Sequence, residues 1–392
     1  MQHKFDRIDR LPPYVFSEVN AMKARARAAE IDVIDFGMGN PDTGSPKHVV
    51  EKLVEAVSDS RTHRYSTSRG IKGLRQAVAN YYGNRFGVEL DIETEVIVTL
   101  GSKEGLANLA SAISAPGDVV LVPNPSYPIH PYGFVIAGAN VCPVRVGDGL
   151  DLMAEIKSAA MRVSPRPKAL VLNFPNNPTG AVVDLEFYSE VVEFARSIGM
   201  YILSDIAYAE IYFDGQPPPS ILQVPGAMDI AVEFSSVSKT YSMPGWRVGF
   251  GAGNKDLIGA LARIKSYLDY GAFTPIQVAA SAALNGPQEC VEAIRNRYRE
   301  RRDVLIDSFA SSGWEIPSPR ATMFIWAPVP AAFEALGSLQ FSKILLEEAR
   351  VAVSPGIGFG KYGDGHVRLA LVENRQRIRQ AARNVRQFLS KY

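Results

Sequence analysis

Cysteine and histidine are both scarce in this sequence of 392 residues. The two cysteines, Cys142 and Cys290, are too few and too isolated for a disulfide framework or a cysteine-based zinc site, so we expect a reduced, cytoplasmic setting. The five histidines are scattered, and no pair of them has the spacing of metal ligands. We therefore expect structural roles for the histidines and no bound metal.

The sequence also lacks a strong net charge and a long apolar run. Its formal net charge is +1, so we expect no strong electrostatic attraction to nucleic acid or to an anionic membrane. No window approaches the ~18 apolar residues that a membrane-spanning helix needs. Residues 1–16, MQHKFDRIDRLPPYVF, have no apolar core of the kind found in signal peptides. The sequence therefore predicts neither nucleic acid nor a membrane as a partner.

Short apolar runs alternate with helical patterns through the first two thirds of the chain. We predict strands at Val96–Leu100, Val119–Val122, Ala169–Asn173, Tyr201–Ser204, Ile230–Ser235 and Arg247–Gly251. The helical patterns cover residues 47–58, 72–86, 103–114, 185–198 and 255–268. Strands that alternate with helices indicate an α/β fold with a largely parallel sheet and helices on both of its faces.

The last third of the chain has a different pattern. A charged helix at Glu289–Ser311 leads into predicted strands at Met323–Ala327, Ala352–Val353 and Val367–Val372, with helices at 341–350 and 375–390. Because one hydrophobic core rarely serves more than about 300 residues, this change indicates a second, smaller α+β domain. We predict an N-terminal arm and part of the small domain at 1–45, a large domain at 46–288 and a C-terminal small domain at 289–392.

Polar residues directly follow several of the predicted strands. Ligands of parallel α/β sheets gather at the carboxyl ends of the strands, so these residues should surround one crevice. They are Gly101-Ser102-Lys103, residues 123–127, residues 174–180, Asp205 with Tyr208, and Ser236-Val237-Ser238-Lys239.

One part of this set suits a phosphate group. Gly101-Ser102-Lys103 opens a helix and so offers backbone N–H groups and a hydroxyl to an anion. The Lys103 side chain has an alternative position facing solvent. Arg247 would add positive charge.

The rest of the set suits a protonated, aromatic ring that bears a carbonyl group. Asp205 ends an apolar strand, where a carboxylate needs a cation such as a protonated pyridine nitrogen. Tyr127 could stack on a ring, and Asn177 could donate to a phenolic oxygen. Lys239 in a desolvated crevice would act as a nucleophilic amine. Each residue alone has a plain structural explanation, such as a helix cap or a turn, but one cofactor accounts for all of them.

Two further motifs suggest other activities. Ser236-Val237-Ser238-Lys239 matches the S-x-x-K of serine acyl-transferases, but the S-D-N and K-T-G elements that those enzymes need are absent. The glycines of residues 356–360 resemble a dinucleotide-binding loop, but the next segment, Val367–Val372, is a predicted strand rather than a helix.

The run Ser236–Gly249, SVSKTYSMPGWRVG, resembles the cofactor-lysine signature of the class I/II aminotransferases, which are fold-type I pyridoxal-phosphate enzymes. Asn-Pro-Ser-Tyr-Pro at 124–128, Asn-Asn-Pro-Thr-Gly at 176–180 and Ser-Asp-Ile-Ala-Tyr at 204–208 follow the family's order. Residues 7–16, 63–70, 261–267 and 349–360 resemble more closely the AlaC-type group, the bacterial glutamate–pyruvate (alanine) aminotransferases. The resemblance implies a mostly parallel seven-stranded sheet plus a smaller α+β domain.

The resemblance also implies a role for each residue that matches a family motif. Lys239 would bind pyridoxal 5'-phosphate covalently and transfer the substrate proton. Residues that would bind the cofactor are Gly101, Ser102, Lys103, Tyr127, Asn177, Asp205, Tyr208, Ser236 and Arg247, with Ser238 as a neighbour. Tyr65 would reach the phosphate from a partner subunit, so the active unit would be a homodimer. Residues that would bind the substrate are Gly39, Asn177 and Arg368, with Arg375 as a weaker candidate.

The implied activity is amino transfer between an amino acid and a 2-oxo acid by a ping-pong mechanism. L-alanine with 2-oxoglutarate is the expected pair, although no residue is identified that must bind the distal carboxylate of glutamate. Aspartate, branched-chain or aromatic amino acids and diaminopimelate remain alternative substrates. A pyridoxal-phosphate C–S lyase, a serine hydrolase acting through Ser236 and a non-catalytic effector domain are alternatives from other classes. Substrate binding should close the small domain and the arm around Tyr14 over the site.

Overall fold

A computed structural model describes residues 5–13, 15–147 and 149–392. The strands are β1 (Ile34–Asp35), β2 (Val96–Thr99), β3 (Val119–Asn124), β4 (Asn140–Arg145), β5 (Ala169–Asn173), β6 (Tyr201–Asp205), β7 (Ala231–Ser236), β8 (Gly249–Gly253), β9 (Phe324–Pro328), β10 (Val351–Ala352), β11 (Ser354–Pro355) and β12 (His366–Ala370). Tyr14, around which the N-terminal arm was predicted to close over the site, lies outside the described residues.

The helices begin with two in the N-terminal segment and end with one at the C-terminus. They are α1 (Asp6–Asp9), α2 (Phe16–Ala28), α3 (Lys47–Val57), α4 (Lys72–Phe86), α5 (Ser102–Ile113), α6 (Ile129–Ala137), α7 (Leu152–Arg162), α8 (Leu185–Ile198), α9 (Val237–Thr240), α10 (Lys255–Leu268), α11 (Thr274–Asn285), α12 (Glu289–Ala310), α13 (Gly337–Ala349) and α14 (Arg375–Leu389).

Several helix ends follow directly from the sequence. The Asp184 side chain accepts the N–H of Phe187 and so begins α8, while Gly199, with φ of +69°, ends it. Asn254 accepts the N–H groups of Asp256 and Leu257 at the start of α10. These caps satisfy backbone groups that a helix end otherwise leaves without partners.

The central sheet has seven strands in the order β2-β8-β7-β6-β5-β3-β4. The pairs β3–β4, β3–β5, β5–β6 and β6–β7 are parallel, whereas β8 is antiparallel to both β7 and β2. The predicted mostly parallel seven-stranded sheet is therefore confirmed. The reversed direction of β8 brings its first residues to the edge where the other strands end.

Alternate residues of the sheet strands pack on opposite faces. Leu170 and Leu172 of β5 belong to a core that includes side chains of α4, α7 and α8. Val171 of the same strand belongs to a core with side chains of α5, α6 and α10. Since both faces of the sheet are covered, its strands are mostly apolar, as is usual for parallel sheets.

A second, smaller sheet lies in the C-terminal part of the chain. Strands β11, β12 and β9 are antiparallel neighbours in that order, and β1 pairs in parallel with β10. Their core includes Leu305 and Phe309 of α12, Phe341 of α13 and Val385 of α14. The α+β character of this part is confirmed, while the domain boundaries at 45/46 and 288/289 stay predictions.

Three features of the fold differ from the sequence-based expectation. Strand β4 was not predicted, since it contains Pro143 and lies at the edge of the sheet, where a missing N–H is tolerated. The strand predicted at Arg247–Gly251 begins at Gly249 instead, because Arg247 has a left-handed φ of +58°. The segment 351–355 forms two short strands, β10 and β11, where we expected one.

No helix in the described residues is long and apolar enough to cross a membrane.

Candidate active site

A cavity of about 340 Å³ lies at the edge where the parallel strands of the large sheet end. It is lined by the residues that the sequence assigned to a cofactor or substrate site, except Tyr65 and the weaker candidate Arg375: Gly39, Gly101, Ser102, Lys103, Tyr127, Asn177, Asp205, Tyr208, Ser236, Lys239, Arg247 and Arg368. The segments that follow β2, β5, β6 and β7 contribute to the lining, as the strand-end argument expected.

Lys239 enters the cavity from the short helix α9, directly after β7. Its Nζ donates to the carbonyl oxygen of Gly39 at 3.0 Å. Burial, helped by the positive charges of Arg368 and Arg247, lowers the pKa of Lys239 to about 8. An amine with this pKa is partly neutral near physiological pH, which is the form that reacts as a nucleophile or base.

Asp205, the last residue of β6, is buried and held on both of its carboxylate oxygens. Oδ1 accepts the backbone N–H of Ala207 at 3.0 Å, and Oδ2 lies 3.0 Å from Nε2 of His130. The Asn173 side chain donates to the Asp205 carbonyl at 2.8 Å. These contacts fix a carboxylate that faces the cavity, where a cationic ring nitrogen would meet it.

His130 is the main residue that sequence reasoning missed, because we expected only structural roles for the histidines. It is buried on α6, and its ring lies 6.0 Å from that of Tyr127, with the two rings nearly perpendicular. A carboxylate accepts hydrogen bonds, so Nε2 carries the proton in the contact with Asp205. The available signal was the place of His130 in the first turn of α6, three residues after Tyr127, since residues 123–127 were already predicted to line the crevice.

The turn Gly101–Lys103, which we call the anion-binding turn, opens α5. Gly101 has φ of +85°, and a Cβ there would lie 2.4 Å from Nη2 of Arg247. Arg247 donates to the carbonyls of Pro244 and Leu100 at 2.9 and 3.3 Å. Glycine at 101 therefore lets a guanidinium approach the start of a helix, an arrangement that suits an anion.

Ser236 and the start of β8 pack behind the anion-binding turn. Lys103 is the most exposed residue of the turn. Ser236 Oγ donates to the carbonyl of Val248 at 2.8 Å and lies 2.8 Å from Ser238 Oγ. A Cβ on Gly249 would lie 2.5 Å from the backbone nitrogen of Ser102, so β8 packs directly against the helix start. Lys103 lines the cavity, and its side chain is exposed to solvent.

A second polar group surrounds Arg368 of β12. Its Nη1 donates to Asn177 Oδ1 at 2.8 Å, and its guanidinium lies 3.9 Å from the ring centroid of Phe324 and 4.6 Å from that of Phe359. A Cβ on Gly39 would lie 2.5 Å from the Phe324 ring. A buried arginine held between two aromatic rings presents a fixed fork to a carboxylate.

Two tyrosines line the cavity near these groups. Tyr208 is buried, its ring contacts that of Phe324 at 5.6 Å, and burial raises the pKa of its hydroxyl well above the ordinary value. The hydroxyl therefore stays protonated and can donate a hydrogen bond. Tyr127 follows β3, in the turn before α6.

The segment of residues 36–45, which we call the strap, joins the two halves of the site. The strap begins where the Phe36 carbonyl accepts the N–H of Ala370 at 2.8 Å. Both oxygens of Asp42 accept from Arg301 of α12 at 2.7 Å. Ser45 Oγ donates to the carbonyl of Ser242, in the loop after Lys239, at 3.0 Å.

Two predicted residues lie outside the cavity. Tyr65 is 87% exposed, and its ring contacts that of Tyr270 at 4.8 Å. Arg375, the weaker substrate candidate, is exposed at the start of α14 and lies 3.9 Å from Glu300. The described residues contain no cluster of three side chains that could hold a metal ion.

The residues of the cavity fit the expected cofactor. The anion-binding turn with Arg247 matches a phosphate, the buried Asp205 carboxylate matches a protonated pyridine nitrogen, and the Lys239 amine matches an aldehyde. The close approach of Arg247 to Gly101 is specific, because a side chain at 101 would fill the space that the guanidinium occupies.

Comparison with known proteins gives a consistent result. The family model "Aminotransferase class I and II" matches residues 31–385. AatC of Rhizobium meliloti (strain 1021) is 59% identical over 387 residues, which are 99% of this chain and 96% of that protein. The glutamate-pyruvate aminotransferase AlaC of Escherichia coli (strain K12) is 55% identical, over 98% of this chain and 93% of AlaC.

More distant relatives also match this chain over nearly their whole length. The LL-diaminopimelate aminotransferase of Moorella thermoacetica is 44% identical over 98% of both chains. The solved structure of a single mutant of Thermus thermophilus aspartate aminotransferase has a TM-score of 0.91 and 31% identity, and covers 99% of this chain and 100% of its own.

Proposed function

The chain belongs to the class I and II aminotransferase family, and on that premise we propose that it transfers the amino group between L-alanine and 2-oxoglutarate with pyridoxal 5'-phosphate as cofactor. The protein is an enzyme, an aminotransferase with the fold-type I architecture. The observation that carries the proposal for the site is the convergence of Lys239, Asp205, Arg247 and Arg368 on one cavity.

The cofactor would be held by residues that approach from different strands. Lys239 would bind it covalently, Asp205 would pair with its ring nitrogen, and Asn177 with Tyr208 would contact its ring oxygen. Tyr127 would stack on the ring. The residues proposed for its phosphate are Gly101, Ser102, Lys103, Ser236 and Arg247. When bound, the cofactor supplies a carbonyl carbon that accepts the amino group and a ring that accepts the electron pair released at the substrate Cα.

The protein residues perform the binding and the proton transfer. Arg368, held by Asn177, would bind the α-carboxylate of the amino acid or the 2-oxo acid through two N–H groups, with the Gly39 backbone beside it. The Lys239 amine, partly neutral because its pKa is lowered to about 8, would move a proton between the substrate Cα and the carbonyl carbon of the cofactor in each half-reaction. Phe324 and Phe359, together with Tyr127, would exclude water from the reacting atoms.

The substrate pair is inferred from similarity. The chain is closer to AlaC, a glutamate-pyruvate aminotransferase, than to the LL-diaminopimelate aminotransferases. An aminotransferase for diaminopimelate is therefore the second candidate. Aspartate, branched-chain or aromatic amino acids follow, and a C–S lyase is the most distant alternative.

We also propose a homodimer with shared active sites. Tyr65 lies outside the cavity of its own chain and is highly exposed. It resembles the tyrosine that, in the family, reaches the cofactor phosphate from the partner subunit. Tyr270, in contact with it, and Tyr267 are 65% and 79% exposed. Exposed aromatic groups of this kind are typical of subunit interfaces. A cytoplasmic location remains a prediction from the low cysteine content.

Absorption spectroscopy tests the function directly. The purified protein with pyridoxal 5'-phosphate should gain the visible-range absorption of a lysine-bound cofactor, and L-alanine should remove this absorption until 2-oxoglutarate restores it. Lys239→Ala should abolish both changes, while Lys255→Ala, an exposed lysine at the start of α10, should keep them.

Steady-state kinetics then separates the candidates. With alanine and 2-oxoglutarate, double-reciprocal plots should give the parallel lines of a ping-pong reaction. A higher kcat/KM for LL-diaminopimelate would favour the second candidate, and ammonia release without a 2-oxo acid would indicate a lyase. Turnover by Lys239→Ala would contradict the assignment of the catalytic lysine.

A further inference from the structure

Lys265, in the last turn of α10, is a fully buried lysine outside the cavity. Its Nζ lies 2.8 Å from Glu104 Oε1 and 2.8 Å from Asp269 Oδ2. A buried ammonium is stable only when it is paired, and both carboxylates depend on the same ammonium in return. The structure therefore couples two segments of the chain through a single charge.

The first of these segments is the anion-binding turn of the same subunit. Glu104 is the residue after Lys103, in the first turn of α5, and its Oε2 accepts the N–H of Leu100 at 2.8 Å. It also accepts a hydrogen bond from Asn108. Through the first of these contacts Glu104 ties Leu100, the residue before Gly101, to the first turn of α5. Lys265 both holds this carboxylate in place and neutralises it.

The second segment carries the exposed tyrosines. Asp269 Oδ1 accepts the N–H of Gly271 at 2.6 Å. Gly271 has φ of +80° and packs so closely on the backbone of Thr67 that a Cβ there would lie 2.2 Å from the Thr67 carbonyl oxygen. Tyr270 contacts Tyr65 at 4.8 Å. Asp269 therefore fixes the conformation of residues 270 and 271, which pack against residues 65–67.

We propose that Lys265 is a positioning residue shared by two active sites of the homodimer. Through Glu104 it fixes the anion-binding turn of its own subunit. Through Asp269 it fixes the segment of residues 269–271, against which Tyr65 packs, and Tyr65 in turn completes the site of the partner. The inference rests on the proposed function, since it requires a bound pyridoxal 5'-phosphate and a Tyr65 that crosses the interface.

Mixed dimers with two different affinity tags test the two connections separately. One subunit carries Lys239→Ala, so only the other subunit can bind the cofactor covalently. The readout is the cofactor concentration at which this site is half-filled, measured as cofactor fixed by borohydride reduction. The substitutions Glu104→Gln, Asp269→Asn and Lys265→Met are each placed first in the Lys239→Ala subunit and then in the cofactor-binding subunit.

The two carboxylates should act on opposite sides of the dimer. Asp269→Asn should raise the half-filling concentration about three- to tenfold when it lies in the Lys239→Ala subunit, which supplies Tyr65, and leave it unchanged in the other arrangement. Glu104→Gln should show the reverse pattern, and Lys265→Met should weaken binding in both. Lys255→Met, on the same helix but exposed, is the matched control.

Equal effects of Asp269→Asn or of Glu104→Gln in both arrangements, or no effect of either variant, would overturn the shared role, because a purely structural loss does not distinguish the two sites. If Lys265→Met fails to fold, the two carboxylate variants decide the question by themselves. If the reference dimer with intact 104, 265 and 269 does not bind the cofactor covalently, the proposed function itself fails, which separates that failure from a failure of this inference.

Discussion

The reactivity of Lys239 is set by burial and by two arginines. Burial, Arg368 and Arg247 together lower the pKa of Lys239 from 10.5 to about 8. At pH 7 about a tenth of the amine is then neutral, against about 0.03% at the ordinary pKa. The arginines that we propose for the substrate and for the phosphate would therefore also prepare the lysine for reaction.

A pH profile of cofactor capture tests this coupling. Only the neutral amine attacks the carbonyl, so the rate at which the apoprotein captures pyridoxal 5'-phosphate should rise with pH and level off above about 8. Arg368→Met removes a positive charge and should move the midpoint to higher pH. Arg375→Met, which alters an exposed arginine, should leave it unchanged. A common midpoint in all three proteins would contradict the role of Arg368.

Gly101 combines a positive φ with a close approach of the Arg247 guanidinium. In Gly101→Ala the new methyl group would displace the Arg247 guanidinium, and a backbone with φ of +85° and ψ of 157°, which is almost restricted to glycine, would add strain of about 1–3 kcal/mol. We expect a roughly tenfold rise in the dissociation constant of the cofactor, measured by fluorescence titration of the apoprotein. Gly259→Ala, in α10 with open space around it, is the control. An unchanged constant would show that Arg247 does not serve the phosphate.

Individual residues differ in how readily their positions followed from the sequence. Lys239, Asp205 and Asn177 were predicted to face one crevice because each follows a strand of a parallel sheet, and they do line one cavity. His130 could not be placed in the same way. It lies inside α6, and its contact with Asp205 depends on how that helix packs against the end of β6.

At the scale of elements, the direction of a strand could not be predicted from the sequence pattern. The apolar run of β8 gives no sign that it is antiparallel to β7 and β2. The start of β8 was also predicted two residues too early, because Val248 continues the apolar pattern but lies before the strand. Short, continuous apolar runs identify buried strands well, whereas edge strands such as β4, with polar ends and a proline, are easily missed.

The strap is an element whose anchoring should affect substrate binding more than catalysis. Asp42 holds the strap to Arg301, which also donates to the Leu371 carbonyl just beyond the strand that carries Arg368. Asp42→Asn should cost about 1 kcal/mol and raise KM for both substrates roughly fivefold, with little change in kcat.

A more exposed ion pair gives a control for the strap. Asp32 forms a similar two-pronged contact with Arg377 at 2.6 and 2.7 Å, but neither residue lines the cavity. Asp32→Asn should leave the kinetic constants unchanged. Equal rises of KM in both variants would show a general loss of stability rather than a specific role of the strap.

At the scale of the whole molecule, the exposed Tyr65 predicts complementation between two defective subunits. Tyr65→Ala and Lys239→Ala homodimers should each have low activity, because every site lacks one residue. A mixed dimer contains one site with both residues and should recover about half of the wild-type activity. Mixing that restores no activity would contradict a site shared across the interface. Sedimentation of each protein at the assay concentration confirms that dimers are present.

The antiparallel connection between β7 and β8 limits the insertions that this part of the chain can accept. Residues 237–248 carry both Lys239 and Arg247, which would grip the cofactor at its aldehyde and at its phosphate. The spacing along this loop must therefore match the length of one small molecule. Single-residue insertions between 240 and 246 should be rejected in an insertion scan, while insertions near Gly149, a surface turn with open space around it, should be accepted.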